Sequence, residues 1–201
     1  MKIDFSFYIA ISLAFFSRQI DVYLTYLIAI IIHECGHLIT ASFFKWEVES
    51  FRMSAIGGFL TFKNELSKKA FQSFLVAISG VIFNVIFGVI LLALNGPASL
   101  IYTQFAIAIF NLLPIAPLDG SKLLKALLRG IFSYQTVLKI IKVVNIIFLF
   151  TFALGVFALR MEQYFIVVVI LAILVGKFHA TVPYIYERYK IQKGSILEVG
   201  D

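Results

Sequence analysis

The residues most able to do chemistry fall within five positions of an apolar run, His33-Glu34-Cys35-Gly36-His37. Residues four apart on a helix lie on nearly the same face, so the two imidazoles can reach one metal ion. Glu34 stands about 100° round the helix from His33, close enough to touch a water on that metal without taking a coordination position. Cys35, the single cysteine, points about 200° away from His33 and is not expected as a ligand. The pattern His-Glu-x-x-His thus offers one zinc ion two ligands and a general base.

A catalytic zinc normally takes three protein ligands and keeps one position open for water. Asp119 is the expected third. It lies in Pro114-Ile115-Ala116-Pro117-Leu118-Asp119-Gly120, where two prolines break the helix and free the backbone to present the carboxylate. His179, the only other histidine, lies beyond the last apolar run. Two plainer readings stand beside these. The His-Glu-His cluster could be a polar knot fastening helices, and Asp119-Gly120 an ordinary turn.

The elements that must position these groups are apolar. The chain has 201 residues, of which 61% are hydrophobic and 14% charged, against about 45–50% and about 25% in soluble domains. That composition predicts an all-α polytopic membrane protein with about six transmembrane helices. The expected spans are Ile3–Phe16, Val22–Phe44, Ala70–Leu94, Ala98–Leu118, Val137–Leu159 and Tyr164–Gly176. The stretch Lys45–Lys69 is too polar to span. Within it Gly57-Gly58 followed by Phe59-Leu60-Thr61-Phe62 reads as a turn feeding a short strand, a hairpin element between the second and third helices. Residues 1–176 form the expected core and 177–201 a cytoplasmic tail.

The net charge of +6 does not signal nucleic acid, because no basic stripe is interleaved with aromatics. In the six-span arrangement all 17 Lys and Arg except Arg18 and Arg160 fall on one side, and the positive-inside rule makes that side cytoplasmic. A multi-pass protein of the cell membrane with both termini cytoplasmic is expected. Ionisable groups at membrane depth are costly and mark functional interiors, which singles out Glu34 and Asp119.

The motifs resemble those of the site-2 proteases, peptidase family M50, which are zinc metalloproteases that cut substrates within or beside the membrane. The resemblance rests on His33-Glu34-Cys35-Gly36-His37, Ile56-Gly57-Gly58-Phe59, Ser79-Gly80-Val81-Ile82-Phe83-Asn84, and Asn111-Leu112-Leu113-Pro114-Ile115-Ala116-Pro117-Leu118-Asp119-Gly120, in matching order over residues 20–130. The chain is most similar to the compact branch typified by stage IV sporulation protein FB. Val81 stands where the family often has proline, and no PDZ-like insertion interrupts the chain. The resemblance implies one zinc ion on His33, His37 and Asp119, with Glu34 as the base. It places Asn84 and Asn111 near the site, either steadying substrate or bonding helix to helix. Gly57 and Gly58 would pair with an unwound substrate as an added strand. The implied partners are the bilayer, a membrane protein or peptide substrate such as a sigma-factor precursor or an anti-sigma factor, and a regulatory membrane protein of unstated identity. The competing class is a catalytically silent membrane protein that holds zinc and sequesters clients.

Overall fold

The computed structural model describes residues 2–54 and 57–160, with isolated positions 169, 172, 173, 175 and 176 beyond them. Most of the expected last span, the tail, His179 and Ile56 lie outside the described residues. The elements run β1 (Lys2–Ile3), α1 (Phe5–Phe16), α2 (Ile20–Phe43), β2 (Val48–Ser54), β3 (Gly57–Phe62), a 3-10 turn (Glu65–Ser67), α3 (Ala70–Ala93), α4 (Ala98–Asn111), α5 (Asp119–Leu128) and α6 (Tyr134–Ala158).

Three of these helices, α2, α3 and α6, are long and apolar enough to cross a membrane. With 12 and 14 residues, α1 and α4 are about 18 and 21 Å long, short of a hydrocarbon core about 30 Å thick. The expected fourth span, Ala98–Leu118, is therefore corrected: its helix stops at Asn111. Pro114 and Pro117 lack the N–H that a helix needs and push the residues before them out of helical conformation. The Ala116–Pro117 bond is cis. By contrast α3 runs through Val81 without a break.

The chain divides into two compact units, Met1–Leu113 and Pro114–Asp201. In the first, α3 packs against α2 and α4, and α2 also meets α4. The buried residues of α2 are Ala29, Ile30, His33, Gly36, His37 and Ala41, the spacing of one helical face. Those of α3 include Ala77, Gly80, Asn84 and Gly88. Ile31, Ile39, Ile82, Ile86, Val89 and Ile90 are exposed. Small and polar groups inside with large apolar groups outside is the reverse of a soluble bundle and the pattern of helices packed in lipid.

β2 and β3 form an antiparallel hairpin in register Met53↔Gly58 and Phe51↔Leu60. The two glycines belong to the strand, a correction to the expected turn. β1 adds in parallel, Ile3↔Met53, so the sheet order is β1-β2-β3 and β3 is an edge. Trp46 and Phe62 seat the hairpin on Ala41 and Val76.

In the second unit α5 packs on α6. Asn145 of α6 is fully buried and accepts a hydrogen bond from the Ala116 N–H at 3.1 Å, which satisfies one backbone donor in the proline-rich loop before α5.

Candidate metal centre

His33 and His37 are both buried in α2, with their rings edge to face at 4.7 Å between centroids. Each ring is held from behind through Nδ1. His37 Nδ1 lies 2.7 Å from the Val76 carbonyl oxygen, which can only accept, so that nitrogen carries the proton. His33 Nδ1 lies 2.6 Å from Asn84 Oδ1. The orientation of the Asn84 amide is itself fixed, because its Nδ2 donates to the Ala29 carbonyl at 2.9 Å and to Gln104 Oε1 at 2.5 Å. Oδ1 is left to accept, so His33 Nδ1 is also the protonated nitrogen.

The two Nε2 atoms therefore present lone pairs, and they converge to 3.1 Å. Two acceptor nitrogens at that distance suit a shared cation. A tetrahedral zinc with Zn–N bonds of about 2.0–2.1 Å has an edge of about 3.3 Å between ligands. The donor chemistry and spacing of this pair fit the metal.

Glycines let α3 come this close. A Cβ on Gly36 would stand 2.6 Å from the Ser79 carbonyl oxygen, and one on Gly80 would stand 2.6 and 2.7 Å from Nε2 of His37 and His33. At Gly36 the backbone of α3 is thus the close neighbour. Gly80 forms the wall against which both imidazoles lie.

Glu34, next on the helix, is partly buried and faces the hairpin. A Cβ on Gly58 would lie 2.8 Å from its Cδ and 2.9 Å from its Oε1, so the bare backbone of β3 covers the carboxylate. Gly57 has φ +147, a conformation reserved for glycine, and its carbonyl accepts from Ser54 Oγ at 3.1 Å. Cys35 is exposed, on the far side from the imidazoles as its angle predicts.

Of the two asparagines, Asn84 makes the helix–helix bonds of its two readings, joining α3 to α2 and α4 at zero exposure. Asn111, at the end of α4 and half-buried, donates to the Ile107 carbonyl at 3.1 Å within its own helix. In the second unit Asp119 is buried at the first turn of α5. Its Oδ1 accepts from Lys122 Nζ at 2.8 Å, with the lysine 45% exposed. A carboxylate in the first turn also meets the positive end of the helix dipole.

Sequence reading missed Gln104 and Lys122. Lys122 stands three residues after Asp119, a spacing at which helix side chains meet. Gln104 shares a helix face with Ile107, Ala108 and Asn111, and an amide on the inner face of an apolar helix was itself a signal.

Residues 22–98 and 98–154 match the model of Peptidase family M50. The chain belongs to this family, which is zinc-dependent in general, and is an intramembrane metalloprotease. Its fold is similar to that of a solved structure titled Site-2 Protease from Methanocaldococcus jannaschii, with a TM-score of 0.69 at 19% identity over 88% of this chain and 89% of that one. No curated protein matches it.

Proposed function

We propose that the chain is a zinc endopeptidase that cuts a transmembrane or membrane-associated segment near the cytoplasmic face. The observation that carries this reading is the pair of Nε2 lone pairs converging at 3.1 Å with both Nδ1 protons pinned. His33, His37 and Asp119 would hold one zinc ion: two ring nitrogens and a carboxylate oxygen are a donor set of the catalytic type. Zinc held there supplies Lewis acidity, lowering the pKa of a water toward about 7 and polarising the scissile carbonyl.

Glu34 is the base. It takes a proton from the attacking water and returns it to the leaving amine. The substrate must be unwound, because a helix hides its peptide bonds. The edge of β3, with Gly57 and Gly58 over Glu34, receives the extended segment by backbone pairing, and Asn111 serves as a further amide donor to it. Charge placement supports cytoplasmic termini and several bilayer crossings. The likeness to the sporulation branch favours a membrane-held sigma-factor precursor, with an anti-sigma factor as the other candidate, under control of a regulatory membrane protein.

Reconstitution with a tagged candidate substrate tests the reading. Cleavage is expected to vanish on Glu34→Gln and on chelation. Cleavage that survives both overturns it. Stoichiometric client binding without turnover would identify a silent zinc-holding protein instead.

A further inference from the structure

We propose that Gln104 is a positioning residue of the metal centre, fixing through Asn84 which ring nitrogen of His33 carries the proton. The inference rests on the reading of His33 as a metal ligand. Its geometry is a three-helix relay. Gln104 Oε1 on α4 accepts from Asn84 Nδ2 on α3 at 2.5 Å. The same Nδ2 donates its other hydrogen to the Ala29 carbonyl of α2 at 2.9 Å. With both amide hydrogens committed, Asn84 Oδ1 faces His33 Nδ1 at 2.6 Å as an acceptor.

With Gln104 in its present orientation, a flipped Asn84 would set its oxygen against two acceptors and its NH2 against the ring. The imidazole would then have to move its proton to Nε2, and the lone pair needed by the metal would be lost. The Ala29 carbonyl opposes that flip and cannot turn; Gln104 Oε1 opposes it as the second acceptor so long as the Gln104 amide keeps its orientation.

Burial makes the relay matter. Asn84 and Gln104 are both at zero exposure, so water cannot replace either bond. Gln104 Nε2 is buried with no hydrogen-bond partner among the described residues. A buried amide with one end unsatisfied calls for an explanation, and the acceptor it delivers to Asn84 is that explanation. Outer partners of this kind orient a metal-binding histidine and set its basicity. α4 thus acts on the site without contributing a ligand.

The test uses the full chain in detergent, with zinc affinity measured by competition against a chromophoric chelator and folding checked by circular dichroism. Gln104→Leu, which removes the acceptor, is expected to weaken zinc binding about 10–100-fold. Gln104→Glu keeps an oxygen facing Asn84 and replaces only the unpartnered NH2, so it is expected to restore affinity to near that of the native chain. In an Asn84→Ala background, Gln104→Leu is expected to add nothing, because the relay is already cut. Native affinity in Gln104→Leu, or an equal further loss in the Asn84→Ala background, overturns the proposal. His33→Ala separates the two levels. Unchanged zinc affinity there would remove the ligand reading itself, whereas a loss there beside native affinity in Gln104→Leu removes only the relay. Should Gln104→Leu fail to fold, Gln104→Met, of similar length, takes its place with the same outcomes.

Discussion

The α2–α3–α4 bundle and the β2–β3 hairpin use the same kinds of polar contact under opposite conditions. In the bundle, His33, His37, Asn84 and Gln104 are buried and bonded to one another or to backbone. In the hairpin, Ser50 Oγ and Thr61 Oγ1 meet at 2.6 Å and Lys63 Nζ meets Glu47 Oε2 at 2.7 Å, all exposed. Where water can replace a partner, a hydrogen bond contributes little net stability; where it cannot, a lost partner costs about 1–3 kcal/mol. The bundle therefore fixes geometry, and the hairpin is free to offer its edge to another chain.

The comparison breaks most visibly at Gly80. A methyl group there would stand 2.6 and 2.7 Å from the two Nε2 atoms, and the rings cannot retreat because Asn84 and Val76 hold them from behind. Gly80→Ala is expected to abolish both zinc binding and cleavage while the protein still inserts in the membrane, as read by metal analysis of purified protein. Retained zinc would mean that the imidazoles are loosely held and that burial does not fix them. Asn84→Leu should come next. It removes the Oδ1 that accepts from His33 Nδ1 in a buried site, so zinc affinity is expected to fall about 10–100-fold and the melting temperature with it.

What could be read in advance follows the same division. α2 and α3 lie within two residues of the expected spans because an unbroken apolar run carries its own signal, and His33, Glu34 and His37 declare themselves by local spacing. The end of α4 did not follow hydropathy, since Pro114 and Pro117 are apolar yet end a helix through a missing donor and a steric clash. β2 was hidden because most of its side chains are exposed, and β1 because it sits in what reads as a span. The relay joins positions 51 and 20 residues apart in sequence. No local pattern reports such contacts: Asn84 was visible with two readings, and Gln104 only as a polar residue in an apolar helix, with nothing to name its partners.

Gly58 lies where the two regions meet. Its added Cβ would approach Glu34 Cγ and Cδ at 2.8 Å, but these belong to a side chain that can swing aside, unlike the backbone that faces Gly36. Gly58→Ala is therefore expected to fold and to bind zinc normally while the base is displaced. The expected loss is about tenfold in kcat, below the roughly 10²-fold that a misplacement of about 1 Å can cause. Single-turnover cleavage alongside a zinc titration would read the two effects separately. A loss of zinc in step with activity would show that the hairpin supports the ligands as well as the base.

The smallest effect is expected at the Glu47–Lys63 pair, whose side chains are 72% and 57% exposed. The hydrogen bond from Lys63, and then its charge, hold the Glu47 carboxyl below its usual 4.5, and Glu47 correspondingly raises Lys63 above 10.5. A carboxyl depressed in the folded state stabilises it at pH above 4.5, and that contribution is lost as pH falls through the folded value. The raised lysine stabilises below 10.5, with loss as pH rises through its own folded value. Between these limits Glu47→Gln should lower the melting temperature slightly, by an amount that shrinks with added salt and disappears in acid well below 4.5. Cleavage at neutral pH should not change, because water replaces the lost partner on an exposed strand end. A large, salt-insensitive drop in stability, or a loss of activity, would mean that the hairpin is braced as tightly as the bundle, and the contrast between the two would fail.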